Sequence, residues 1–250
     1  MNSRPVKNRR KPLVALRALR NLLADADRTD EVFVITRALA GDSIERGHAR
    51  FARTDVGRAV LAERRDLVSR LNDRAWLATL PEGSLGRAYL RFAEAAGITA
   101  DGLVEASEPV EGQYGHLTED EGLYARRLRD QHDLWHVVTG YSTMPFGEVC
   151  VVAFSYAQTH NLGLGVIALI GALKIASETR KAGKPASGIF KAAWQGWRNG
   201  RRAEWLPAQD WEALLAEPLA SVRARLGLRA PTRFQALTDY HAGWNGAATA

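Results

Sequence analysis

The stretch RRLRDQHDLWHVVTGYSTMPFGEVCVVAFSYAQT, residues 126–159, decides the fold. It carries His132 and His136 four residues apart and, after eleven further residues, Glu148. On an α-helix, side chains at i and i+4 lie one turn apart on the same face. Tyr124, Leu128, His132 and His136 form one such series, so the spacing predicts a helix over 119–139 with both imidazoles pointing inward. Gly140 reads as a helix stop and Pro145 as a first-turn residue, which predicts a second helix over 145–159. His136 then lies about one turn before the break and Glu148 about one turn after it. Folded back as an αα-hairpin with axes about 8–10 Å apart, the helices set these side chains opposite each other. Two imidazoles and a carboxylate aimed at one point can bind a single divalent ion. Asp133 stands about 100° around the helix from His132. It is a candidate fourth ligand, or an acceptor for an imidazole N–H. The same residues also fit a buried hydrogen-bonded network without metal, but the spacing favours the metal.

Outward from the hairpin, the chain reads as helical nearly throughout. Leu16, Leu19 and Leu23 repeat at helical spacing, with Arg17 and Arg20 between them. Asp30 is the expected cap of EVFVITRAL, which stops at Gly41. Thr54 precedes a long amphipathic stretch through Val56, Val60, Leu67 and Leu71. LPEGS (80–84) is a turn and helix cap before the helix SLGRAYLRFAEAAG. The pattern is lost over 101–118, read as a loop with Gly102, Pro109, Gly112 and Gly115. The apolar run LGLGVIALIGAL (162–173) falls short of the roughly 18 residues of a membrane span. It is expected to be a buried core helix or a segment lying at a membrane surface. A basic loop over 181–185 and amphipathic segments over 192–205 and 211–226 follow. No linker divides the chain, which predicts a single all-α domain over 13–240. A basic arm (1–12) precedes it, and a frayed tail (241–250) follows.

The chain has 250 residues, 46% hydrophobic and 25% charged, so disordered and fibrous classes are excluded. The single cysteine, Cys150, excludes an internal disulfide framework and cysteine-rich zinc fingers, and suggests a reducing compartment. Cys150 follows Glu148 by two residues, on another helix face, and reads as a small core residue. His48, His116, His160 and His241 have no companion at ligand spacing and read as surface or capping residues. A net charge of +6 favours an anionic surface, or is simply a solvated basic exterior. The basic residues are dispersed and form no nucleic-acid-binding module, so nucleic acid is not expected as a partner. Dinucleotide, NTP and serine-hydrolase motifs are absent.

The 126–159 block resembles the signature of the fourth coenzyme Q biosynthesis protein family, defined by HDxxH, eleven residues and E. LPEGSLGRAYLRF (80–92) is similar to that family's upstream helix, and NGRRAEWLPAQDWEALLAEPLASVRARLGL (199–228) to its carboxy-terminal region. The resemblance implies an all-helical fold and a metal, usually taken as zinc, held by His132, Asp133, His136 and Glu148. It implies a homodimer at a membrane face, a groove for a polyprenyl chain, and work beside other ubiquinone biosynthesis proteins. The implied activity is oxidative decarboxylation of a polyprenylated 4-hydroxybenzoate-type ring, with hydroxyl replacing the C1 carboxylate. These four residues would be catalytic as well as metal-binding. Zinc has no redox chemistry, and a two-histidine carboxylate set also suits non-haem iron(II). The family-like blocks begin near residue 13, which leaves no room for a cleaved presequence. The expectation is a bacterial-type cytoplasmic form, peripheral on the inner face of the cell membrane; the eukaryotic alternative is the mitochondrial inner membrane. Two rival readings are a prenyl-lipid-binding organiser with a structural metal and an HD-type metal phosphohydrolase. The latter lacks its additional separated ligands here.

Overall fold

A computed structural model describes residues 9–24, 28–102, 104 and 117–247, and among these the chain is helical with no strand. The helices before the hairpin are α1 (Pro12–Ala24), α2 (Thr29–Ala38), α3 (Ser43–Phe51), α4 (Asp55–Glu63), α5 (Leu67–Asn72), α6 (Arg74–Thr79) and α7 (Leu85–Ala96). Then come α8 (Glu119–Asp130), α9 (His132–Thr139), α10 (Pro145–Thr159), α11 (Leu162–Lys181) and α12 (Ser187–Arg202). A 3-10 turn (Leu206–Ala208) leads to α13 (Trp211–Leu214), α14 (Leu219–Arg225) and α15 (Thr232–Ala247).

Helix α10 is the centre. It is apolar over most of its surface, as a largely buried helix must be, with Cys150, Val151 and Phe154 fully enclosed. It packs against α11 and α12, while α9 presses Leu134, Trp135 and Val138 into the same core as Leu85 and Tyr89 of α7. Side-chain caps fix the ends. The Thr118 hydroxyl accepts from the Glu121 N–H while the Glu121 carboxylate accepts from the Thr118 N–H, a reciprocal cap at the start of α8. Ser84 caps α7, and Gly97 ends it in the left-handed region. Buried Gln158 donates to the Gly200 carbonyl at 2.6 Å and accepts from the Leu206 N–H at 2.8 Å, tying the carboxy-terminal elements to α10.

The structure corrects several expectations. The single helix over 119–139 is two, with a turn at Gln131, whose buried side chain accepts from the Trp211 indole N–H at 2.8 Å. Tyr124 and Leu128 therefore pack with Phe51 and Val60 in a separate cluster instead of continuing the histidine stripe. The stretch after Thr54 breaks where Arg64 takes φ +52°, although Thr54 does cap α4. Asp30 lies inside the first turn of α2 and does not cap it. The buried face of α1 is Ala15 and Ala18; Leu16 and Leu23 of the expected stripe are exposed. The segment over 211–226 is two short helices. Residues 100–102 and 104 are helical, and the rest of the expected loop, 103 and 105–116, lies outside the described residues. So does most of the basic arm, 1–8, while 241–247 of the expected tail continue α15 and 248–250 fall outside.

The apolar run is the largest surprise. It opens a helix of 20 residues that by length and composition alone could cross a membrane, yet 22% of its apolar window is buried. Only the small stripe of Gly163, Ala168, Ala172 and Ala176 is enclosed, and Leu169 and Leu173 are about half exposed. It is not a buried core helix.

Candidate metal centre

The hairpin forms as its glycines and proline direct. Gly140 ends α9 at φ +79°, and its N–H donates to the His136 carbonyl at 2.8 Å. Pro145 opens α10 at a position where its missing N–H costs nothing. At Gly147 a β-carbon would run into the Ser142 carbonyl, so the loop folds tightly onto α10. Arg223 of α14 donates to the Val137 and Val138 carbonyls at 2.8 and 2.9 Å. These are among the last carbonyls of α9, which lack helical partners, and a cation there also suits the helix dipole.

This geometry brings His132, His136 and Glu148 together. The two imidazole Nε2 atoms are 3.2 Å apart. Glu148 Oε1 lies 3.2 Å from His136 Nε2, and Oε2 lies 3.5 Å from His132 Nε2. The candidate ligand atoms all fall within 4.8 Å of one another, and no other such group of three forms among the described residues. His136 Nδ1 is 3.1 Å from the Tyr141 carbonyl oxygen. A carbonyl only accepts, so Nδ1 carries the proton and, in the neutral ring, Nε2 presents its lone pair. That lone pair faces a carboxylate oxygen and a second imidazole nitrogen. Such a set of acceptors is satisfied by a proton or by a cation held between them, and the donor types are those of zinc and iron(II) sites. The residues therefore fit a divalent ion.

The surroundings set access and charge. His136 is 1% exposed, while the side chains of His132 and Glu148 are 27% and 39% exposed, so the cluster is closed behind and open in front. Phe92 of α7 stacks on the His136 ring at 5.6 Å between centroids. Burial opposes the Glu148 charge, but hydrogen bonds to the two imidazoles outweigh it and lower its carboxyl to about 2. Burial likewise favours a neutral His132 ring, and the Glu148 carboxylate reverses this and raises it above 6.5.

Asp133 is not brought into the three-residue group. It is buried, and its carboxyl is pushed up by burial against the pull of His132 and His136. Cys150 is a core residue as expected, its thiol pushed up to about 12 by burial and thus inert. His160 is the left-handed C-cap of α10. His48 departs from the surface reading: its Nε2 is enclosed, and its ring lies 6.3 Å from Tyr124. His116 and the side chain of His241 lie outside the described residues. Sequence reasoning missed Phe92, the Tyr141 carbonyl and Arg223. Phe92 lay in a helix already recognised, but nothing in its spacing pointed to His136.

The chain is thus an all-α protein whose central helical hairpin gathers two imidazoles and a carboxylate that could hold a metal ion. Residues 2–232 match the family profile "Coenzyme Q (ubiquinone) biosynthesis protein Coq4", and the chain belongs to that family. It is 31% identical over 179 residues to the mitochondrial ubiquinone biosynthesis protein coq4 of Talaromyces stipitatus, covering 70% of this chain and 57% of that one. It is 28% identical over 181 residues to the mitochondrial COQ4 of Podospora anserina, covering 70% and 54%. The chain thus spans a little over half the length of these curated relatives. A crystal structure from Nostoc punctiforme PCC 73102, provisionally assigned to ubiquinone biosynthesis, superposes with a TM-score of 0.63 at 25% identity, covering 89% of this chain and all of that one.

Proposed function

We propose that this ubiquinone biosynthesis protein is a metal-dependent enzyme acting on a polyprenylated 4-hydroxybenzoate-type precursor. It removes the C1 carboxylate as carbon dioxide and places hydroxyl on the same carbon, with oxygen as oxidant. The observation that carries this reading is the convergence of His132, His136 and Glu148 in a chain of this family. Those three residues would hold a divalent ion, zinc or iron(II), which supplies Lewis acidity for the ring carboxylate or phenolate. The chain's own groups do the positioning. The Tyr141 carbonyl fixes the tautomer of His136, and the Phe92 ring holds its plane. The exposed sides of His132 and Glu148 admit the ring. Asp133, buried and reluctant to ionise, sits within the field of both imidazoles and serves as the proton acceptor or tunes His132.

Basic surface charge and the exposed leucines of α11 would seat the protein peripherally on an anionic membrane, with the prenyl chain along α11. The surface is the inner face of a bacterial cell membrane, or the mitochondrial inner membrane, the organelle named for the curated relatives. A homodimer working beside other ubiquinone biosynthesis proteins completes the proposal. The half-exposed Leu169 and Leu173 favour one second reading, a prenyl-lipid-binding organiser with a structural metal. The test is metal analysis of anaerobically purified protein, paired with turnover of a carboxylated precursor under oxygen. Metal-dependent, oxygen-dependent loss of the carboxylate supports the enzyme. A fully loaded protein with no turnover leaves the organiser.

A further inference from the structure

On the outer face of α12 an open cleft of about 460 Å³ is walled by residues of α12 and of the segment over 229–233. Arg198 and Arg202 stand four residues apart on one stripe of the helix, and Arg229 and Arg233 face them from the other wall. No carboxylate lines the cleft, and none of the ion pairs among the described residues involves any of these four guanidinium groups. Like charges are therefore held together without compensation: Arg198 and then Arg229 push the Arg202 guanidinium below its ordinary value. Four arginines with no carboxylate partner thus line one open cleft and can turn their N–H edges onto a single anion.

The walls are fixed in place. The Asn199 amide donates to the Arg229 carbonyl at 3.4 Å. Gln195 donates to the Thr232 hydroxyl at 3.0 Å and accepts from the Arg233 N–H at 2.9 Å. Arg198 stacks on Trp194 with its central carbon 4.5 Å from the ring centroid, which holds the guanidinium plane and leaves its N–H edges free. Trp194 itself is 52% exposed at the rim. The amino end of α15 opens into the same cleft and adds positive partial charge. None of these residues lies on the α9–α10 hairpin.

We propose that this cleft is a second ligand site, separate from the metal centre, that binds the phosphate of a phosphate ester through Arg198, Arg202, Arg229 and Arg233. Planar guanidinium forks match phosphate oxygens in pairs, and the half-exposed tryptophan gives an apolar edge for the organic part of the ester. A phospholipid headgroup and a soluble ester both carry such a phosphate, and the chemistry at the arginines is the same for either.

The test uses the full chain and inorganic pyrophosphate as the probe, followed by calorimetry at low salt. The Arg202→Ala/Arg229→Ala variant is expected to bind at least about tenfold more weakly than the parent. A charge-matched control, Arg46→Ala/Arg58→Ala, removes two arginines from elsewhere and is expected to bind as the parent does. Equal weakening in both variants, or no binding by the parent, overturns the site. Thermal unfolding of the parent alone gives a second readout, since a bound anion must raise its Tm; no rise with pyrophosphate also overturns it. Flotation with phosphatidylglycerol vesicles then assigns the source. Displacement by pyrophosphate, with loss in the Arg202→Ala/Arg229→Ala variant, makes the headgroup the ligand. Unchanged flotation of a variant that no longer binds pyrophosphate makes it a soluble ester.

Discussion

Replacing Glu148 by glutamine keeps the size of the side chain and removes its charge. The carboxylate lies 3.2 Å from His136 Nε2 and 3.5 Å from His132 Nε2, and its carboxyl is lowered from 4.5 to about 2. A drop of that size corresponds to about 3 kcal/mol of preference for the ionised form. With 39% of the side chain in solvent, screening reduces this to about 1–2 kcal/mol. The contribution has an edge on each side in pH. A depressed carboxyl stabilises the fold above its unfolded value, and that stability is lost as pH falls through the folded one. A raised histidine stabilises the fold below the ordinary 6.5, and that stability is lost as pH rises through its folded value. The metal-free pair therefore contributes most between about pH 4.5 and 6.5. In EDTA, Glu148→Gln is expected to lower Tm by about 2–8 °C near pH 6 and by clearly less near about pH 9. Saturating zinc reverses the trend in the parent, because ligands must shed their protons to bind. Zinc should raise the parent's Tm more at about pH 8 than at about pH 6, and should raise that of the variant little. A deficit in EDTA that stays constant across this range would mean that the Glu148 carboxylate is not paired with the two imidazoles in solution.

Three further outcomes follow from the packing. Arg127 is 2% exposed and donates twice to Glu212 at 2.7 Å, so Arg127→Met strands a carboxylate and should cost about 3 kcal/mol in chemical denaturation. A cost near zero would mean that the pair is not held in solution. Gly147→Ala pushes against the Ser142 carbonyl and should cost about 1–3 kcal/mol while displacing Glu148; unchanged stability and zinc affinity would contradict the tight loop. Leu169→Glu/Leu173→Glu alters only exposed positions, so Tm should hold while flotation with anionic vesicles falls by more than about tenfold. Unimpaired flotation would take α11 out of the membrane contact.

The hairpin was legible because its signals are local. His132, His136 and Glu148 lie within 17 positions of sequence, and Gly140 and Pro145 mark the turn with backbone chemistry that few other residues supply. What escaped was set by distant partners. The turn at Gln131 depends on Trp211, 80 residues away, and the end of α9 on Arg223, 85 and 86 residues away. Hydrophobic periodicity misread part of α1, since small Ala15 and Ala18 make the buried face and Leu16 and Leu23 face out, while Leu19 packs against the cluster. The same confusion affected the run over 162–173, where alanine and glycine form the enclosed stripe and Leu169 and Leu173 are left in solvent. Spacing also placed Asp133 beside His132 without showing that the two histidines turn toward Glu148 and leave it aside.

The most direct measurement is made in cells. A strain lacking its own copy of this gene is complemented with the parent chain or with His136→Ala at matched protein level, and quinone intermediates are identified by mass spectrometry. His136 is buried at the back of the cluster, so its loss removes a donor while leaving the exposed surface unchanged. The His136→Ala strain is expected to make little ubiquinone and to accumulate a polyprenylated precursor that still carries its C1 carboxylate. Normal ubiquinone from that strain would contradict the proposed metal-dependent enzyme.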